Sequence, residues 1–206
     1  MASQKRKLHH VLKLIQKINS FVLLTLCIIF AVICVLALRD NNHKMVELRA
    51  AVFKADQDNG DIEGALTSLR TFVYAHMNTN LSSGANAVKP PIQLKYTYER
   101  LSAANNAAYK AEVAKVLKDA EDTCIAQYPG TVYSQPRSNC AKAYGEAHPV
   151  TLKTVPEDLY KFDFLSPRWS PDKAGWTMLA AGFFFILFAL RLLSTWAIKK
   201  ELQKQG

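Results

Sequence analysis

The N-terminal part of the chain lacks the residues that interrupt helices. No glycine precedes Gly60 and no proline precedes Pro90. Because these two residues are the common causes of helix breaks, one helix is expected to run from the N-terminal region to about Asp58. The weakest part of this helix is Asp40-Asn41-Asn42, and Gly60 suits the left-handed residue that follows a helix end.

The sequence also lacks the motifs of common catalytic sites. Its eight glycines are scattered and form no phosphate-binding loop. No serine lies in the G-x-S-x-G motif of hydrolases, and the five histidines have no metal-ligand spacing. We therefore expect neither an enzyme nor a cofactor or metal site.

The net charge of +9 is distributed unevenly along the chain. Basic residues concentrate before residue 21 and after residue 190, whereas acidic and basic residues balance between Asp40 and Lys173. A nucleic-acid-binding domain would carry its basic residues on a folded surface, so nucleic acid is not an expected partner. Basic flanks beside apolar helices are instead typical of the cytoplasmic ends of membrane spans.

Two long apolar runs indicate membrane spans. Phe21–Leu38 contains no charged residue, proline or glycine, and as a helix it would extend roughly 27 Å, close to the thickness of the hydrocarbon core. The second run begins at Ala174, is interrupted by Arg191 and ends at Ile198. We predict transmembrane helices at 21–38 and 173–198, with the lipid bilayer as a partner.

Four residues near the second run suit a membrane interface. Trp169 precedes the run, and Trp176 and Trp196 lie near its opposite ends, where aromatic belts are found. Arg191 can extend its guanidinium group to the headgroups of the inner leaflet. Trp169, Trp176, Arg191 and Trp196 are the predicted interface anchors.

The two spans divide the chain into five predicted segments. These are a basic cytoplasmic or interfacial tail (1–20), the first span (21–38), an extracytoplasmic, mostly helical domain (39–172), the second span (173–198) and a cytoplasmic tail (199–206). Apolar residues at helical spacing in 1–20 predict an amphipathic helix on the membrane surface. The expected location is the cell membrane, multi-pass, with both termini cytoplasmic. A signal peptide cleaved near Val35-Leu36-Ala37 is the alternative for the first run.

The four cysteines form two groups. Cys27 and Cys34 lie in the first apolar run, where cysteine serves as a small apolar residue. Cys124 and Cys140 lie in the predicted outer segment, where an oxidising compartment favours pairing. We predict one disulfide, Cys124–Cys140, which closes a loop of about 15 residues.

The spacing of apolar residues in the middle segment predicts further helices. One follows Asp61, a long one runs from about Pro91 to Gln127, and a short one covers Arg137–Ala147. The acidic turn from Asp56 to Glu63 lacks the ligand spacing of a calcium loop, so its charges are expected to be solvated. The predicted fold class is all-α, with two transmembrane helices flanking an extracytoplasmic helical bundle that holds one disulfide.

Three residues on the predicted long helix mark a candidate ligand pocket. Tyr98, Asn105 and Tyr109 combine aromatic surface with an amide. They either line a pocket against a neighbouring helix or pack at the edge of the core.

The order of span, helical outer domain and span resembles the sensor regions of bacterial chemoreceptors and histidine kinases. The resemblance covers about residues 20–198 and rests on layout rather than on a motif. Because no kinase, coiled-coil or methylation region is seen after the second span, the resemblance implies a separate transducing partner. The segment LRAAVFKADQDNGDIEGALTSLRTFVYAHMNTNL is also similar to uncharacterised two-pass envelope proteins of small-genome bacteria, which implies no activity.

Two function hypotheses follow from these features. In the first, the chain is a structural or accessory envelope protein whose outer helices contact a membrane or envelope protein, or a second copy. In the second, the outer domain is a sensor-like module that binds a ligand and needs a separate partner to transmit the signal.

Overall fold

A computed structural model describes residues 10, 13, 17, 19–82, 88–130 and 134–204. This part of the chain is mostly helical and adds one small sheet. In chain order its elements are α1 (Ser20–Asp58), α2 (Ile62–Ala75), β1 (Ile92–Gln93), α3 (Lys95–Gln127), α4 (Gln135–Ala147), a 3-10 helix (Glu157–Leu159), β2 (Lys161–Phe162) and α5 (Lys173–Lys204). Most of the predicted amphipathic tail, 1–20, lies outside the described residues.

Helix α1 confirms the prediction of an uninterrupted helix to Asp58. It has 39 residues, a length of about 58 Å at the usual helical rise, and it continues through Asn41 and Asn42. The left-handed residue after it is Asn59, with φ of 50°, and not Gly60 as predicted. Asparagine tolerates this conformation better than other residues with a side chain. The N–H of Gly60 donates to the Ala55 carbonyl at 2.9 Å and closes the helix end.

The predicted start of the long helix at Pro91 is wrong. Ile92 and Gln93 form β1, which pairs antiparallel with β2 in the register Ile92↔Phe162 and Gln93↔Lys161. The N–H of Leu94 donates to the carbonyl of Tyr160 at 2.8 Å. These backbone groups are used by the sheet, so α3 begins only at Lys95.

Helices α1 and α5 are both long and apolar enough to span a membrane. Many of their large apolar side chains are exposed, including Phe21 at 78% and Leu193 at 61%. A helix in a water-soluble fold buries its apolar face, whereas a helix in lipid has no such requirement.

The described residues form two compact units. The first unit comprises the described residues of Met1–Ala51, Glu63–Ala85 and Phe164–Gly206, and the second comprises those of Val52–Ile62 and Asn86–Asp163. Each unit is built from segments that are distant in the sequence.

The core of the first unit includes Ala37, Met77 and Ala174, with Leu38 packed against them. Helix α2 buries one face, formed by Leu66, Leu69 and Val73. The spacing of three and four residues between them is that of one helical face, as the sequence predicted.

The core of the second unit includes Val52, Ile92, Leu94 and Cys124, all almost completely buried. Cys124 is bonded to Cys140, with the two Cα atoms 5.9 Å apart, which confirms the predicted disulfide. Pro136 lies in the first turn of α4, a favoured position for proline. The helical character of the fold class is therefore confirmed, while the two-stranded sheet was not predicted.

Candidate functional site

A polar cluster in the first unit joins α1, the end of α2 and the start of α5. It consists of Asn41, Met77, Ser170 and Asp172. The amide of Asn41 donates to the Asp172 carboxylate at 2.8 Å and to the Met77 carbonyl at 3.3 Å. The backbone N–H of Met77 donates to the Ser170 hydroxyl at 3.0 Å. The cluster thus satisfies polar groups of three segments that are distant in sequence.

Asp172 also serves as the N-cap of α5. Its carboxylate accepts the backbone N–H of Gly175 at 2.9 Å, which is the usual N-cap bond to the third helical residue. Partial burial by itself would raise the pKa of Asp172. The hydrogen bonds from Gly175, Asn41 and Ser170 outweigh this effect, with a further contribution from His76, and they lower the pKa below its ordinary value of 3.8.

Helices α1 and α5 contact each other within the first unit. The thiol of Cys34 donates to the Ala174 carbonyl at 3.6 Å, and the rings of Phe30 and Phe184 stack with centroids 5.6 Å apart. Cys34 is buried, so it packs in a helix contact, in line with its predicted role as a small apolar residue.

Gly175 is required by close packing at the start of α5. A Cβ atom at this position would overlap the carbonyl oxygen of Ser170 and would lie 2.9 Å from Nε1 of Trp169. By contrast, a Cβ atom on Gly182, later in the same helix, would meet no atom within 4 Å. The polar cluster therefore sits against a segment that leaves no room for a side chain.

The predicted interface anchors occupy two regions of the first unit. The rings of Trp169 and Trp176 meet edge to face with centroids 6.0 Å apart, near the start of α5. Arg191 and Trp196 lie in the later part of α5, where Arg191 donates to the hydroxyl of Thr195 at 2.7 Å. All three tryptophans are exposed.

Asp56 is the polar centre of the second unit. Its side chain is 2% exposed, and its carboxylate accepts the backbone N–H groups of Tyr96 and Thr97 at 3.0 and 2.8 Å. It also pairs with Arg100 at 3.2 Å. The prediction that Asp56 belongs to a solvated acidic turn is wrong, because its carboxylate caps α3 instead.

A cleft in the second unit brings together two of the three predicted pocket residues. It has a volume of about 390 Å³ and is lined by Tyr98 and Asn105 together with the segment around Lys153 and Tyr160. Asn105 donates to the Lys153 carbonyl at 2.9 Å, and the rings of Tyr98 and Tyr160 lie 4.9 Å apart. Tyr109 does not line it. The cleft lies against a loop rather than against the predicted neighbouring helix.

A groove of about 440 Å³ runs between α3 and α4, beside the disulfide. Its lining includes Ala120 and Cys124 from α3, and Ser138, Ala141 and Gly145 from α4. We call it the hairpin groove. The small side chains of α4 leave it open, since a Cβ atom on Gly145 would meet no atom within 4 Å.

No group of three or more histidine, cysteine, aspartate or glutamate side chains is placed for metal binding in the described part of the chain. The arrangements found there cap helices, pack helices together or form open surfaces.

No protein-family model, curated protein or solved structure matches the chain. Its function is therefore inferred from the contacts of its own residues.

Asp56 and the polar cluster were not predicted from the sequence as organising features. Asn41 was noted only as a weak point of a helix. Asp56 and Thr97 are 41 positions apart, and Asn41 and Asp172 are 131 apart. No local motif signals contacts over such distances, and the start of α3 after Leu94, where the cap is needed, was itself not predicted.

Proposed function

We propose that the chain is an integral membrane protein with two spans, which acts as a structural or accessory envelope protein through contacts of its outer helices. Both termini would lie in the cytoplasm, and residues 39–172 would lie outside. Two observations support the membrane spans. Helices α1 and α5 are long and apolar and contact each other, and many of their apolar side chains are exposed. The orientation is supported by the basic residues in both tails.

The main support for a role in protein contacts is the exposed surface of α3. This helix has 33 residues but buries only Ala120 and Cys124 completely. Large apolar side chains remain on its surface, among them Leu117 at 65% and Ile125 at 42% exposure. A long helix usually gains its stability by burying an apolar face, so this surface suits a protein partner.

The disulfide supports an outer location for the second unit. Disulfides persist in oxidising compartments and are rare in the cytosol. The Cys124–Cys140 disulfide joins α3 to α4, so a covalent bond fixes the proposed contact surface on α3 to the neighbouring helix.

The topology is tested by labelling single cysteines on intact cells with a maleimide that does not cross membranes. Lys118→Cys, on exposed α3, should react from outside, while Lys199→Cys should react only after the membrane is permeabilised. The unaltered chain measures labelling of the native cysteines. The opposite pattern at either position would reject the topology.

The role in protein contacts is tested by mild detergent extraction followed by native separation and identification of bound proteins. A complex larger than one chain, weakened by Leu117→Asp and unaffected by Leu159→Asp, is expected. Leu159 is also exposed, at 48%, but lies outside α3. Recovery of monomer alone would reject this role.

The cleft near Tyr98 and Asn105 favours a second candidate function, a sensor-like module that binds a small polar ligand. It offers aromatic surface beside an amide, a common combination in ligand sites. The test is a melting curve of the purified protein against a panel of sugars and amino acids, repeated with Asn106→Trp, which would fill the cleft. No shift with any compound, or equal shifts in the variant, would reject this candidate.

A further inference from the structure

The hairpin groove is bordered by a row of exposed side chains on α3. Leu117, Glu121 and Ile125 follow one another at intervals of four residues, and each is exposed. Leu117 and Glu121 also line the groove. Side chains at this interval form a ridge that packs into the groove of a neighbouring helix, so the second unit carries a ridge and a groove side by side.

The wall of the groove on α4 can accept such a ridge. Ser138, Ala141 and Gly145 face it at intervals of three and four residues, and small residues allow helices to approach closely. The open space at Gly145 is where a large apolar side chain would fit.

The groove is also lined by one acidic and one basic side chain, Glu121 and Arg137. Neither forms an ion pair with a described residue. Glu121 lines it and forms no ion pair with any described residue. Arg137 donates Nη2 to the carbonyl of Tyr128 at 3.1 Å, while its Nε is buried and lacks a hydrogen-bond partner among the described residues. A buried donor left unpaired destabilises the fold. The guanidinium group of Arg137, which lines the groove, carries a positive charge that a carboxylate of a docked partner can pair.

We propose that the hairpin groove is the interface of a homodimer, in which α3 of a second copy occupies the groove. In a two-fold pair each contact occurs twice with the roles exchanged. Glu121 of the partner subunit then pairs with Arg137, and the partner's Arg137 pairs with Glu121. This surface carries a ridge, a groove and side chains of both charges. It is therefore complementary to itself, and a second copy of the chain is the favoured occupant.

In this dimer the α3–α4 hairpins of the two copies form a four-helix arrangement. Leu117 of the partner subunit packs against the small residues of α4 near Gly145. The inference rests on the proposed function and names its partner as a second copy of the chain.

The first test measures dimerisation of the full chain in lipid nanodiscs or native membranes by chemical crosslinking and by mass. Gly145→Leu should raise the dissociation constant at least tenfold, because it fills the open space in the groove. Ala147→Leu is the matched control on the same helix, since Ala147 is exposed but does not line the groove, and it should change little.

The second test uses charge reversal and separates docking from folding. Glu121→Arg alone and Arg137→Glu alone should each abolish dimerisation, because like charges then meet at both contacts. An equal mixture of the two variants should form a mixed dimer, because opposite charges then meet at both contacts. A misfolded variant could not be rescued by mixing.

The proposal is overturned if the chain is monomeric under all these conditions, or if its dimer is unaffected by Gly145→Leu and by charge reversal. It is also overturned if the groove variants release a different protein instead of a second copy. That last result would leave the proposed role in protein contacts standing, whereas monomer with no bound protein would reject both.

Discussion

The carboxylate of Asp56 accepts both the backbone N–H and the hydroxyl of Thr97, at 2.8 and 2.7 Å. The C-terminal end of α1 thereby supplies the N-cap of α3, which lacks a side-chain cap from its own preceding residue, Leu94. Two helices that are far apart in sequence are held by one buried carboxylate.

We predict that Asp56→Ala lowers the free energy of unfolding by about 2 to 4 kcal/mol, since it removes a cap and leaves several partly buried donors without their acceptor. Asp58→Ala, at an exposed position of the same helix, should change it by less than about 0.5 kcal/mol. Chemical denaturation of the two variants in the same detergent measures the difference. Equal stability of the two would show that the buried carboxylate does not hold α3.

We predict that Gly175→Ala destabilises the first unit by about 1 to 3 kcal/mol, because the added methyl group overlaps the carbonyl of Ser170. Gly182→Ala adds the same group in open space and should leave stability unchanged or slightly raised, since alanine favours helix. The melting temperatures of both variants in one detergent give the comparison. A loss at Gly182 as large as that at Gly175 would contradict close packing as the cause.

We predict that the protonation of Asp172 makes stability depend on pH in the acidic range. Its folded-state pKa is lowered below 3.8, so its contribution to stability is complete above that value and is lost as the pH falls through the folded-state pKa. Asp172→Asn should be less stable at neutral pH, and the gap to the unaltered protein should narrow in acid. Melting temperatures from pH 6 downward test this, and a gap that widens in acid would reverse the assigned sign.

We predict that removing the disulfide through the paired change Cys124→Ala and Cys140→Ala destabilises the chain by about 3 kcal/mol, because the bond closes a loop between two cysteines 16 positions apart. It should also abolish the difference in gel mobility between reduced and unreduced protein. Cys27→Ala removes a free thiol and should keep that mobility difference. A difference that survives loss of both outer cysteines would have another origin.

The long helices were predictable because their signals are local. The lack of proline and glycine before Gly60 and the apolar run after Phe21 together indicate α1, and the run after Lys173 indicates α5. The disulfide was also predictable, because the predicted outer segment holds only two cysteines, Cys124 and Cys140.

The candidate pocket was predictable only in part. Helical spacing placed Tyr98 and Asn105 on a common helix, but the loop that closes the cleft around Lys153 follows no periodic pattern. Which of the three residues meets that loop depends on long-range contacts such as the hydrogen bond from the side-chain amide of Asn105 to the Lys153 carbonyl, and Tyr109 is left outside.

The sequence by itself determined the two apolar helices, the helical character of the chain and the cysteine pair, because composition and periodicity act over a few turns. Only the tertiary structure decided that Asp56 is buried beneath α3, that Ile92 enters a strand and that Asn41 meets Asp172. Those outcomes depend on which distant groups satisfy each buried polar atom, and no local pattern encodes that choice.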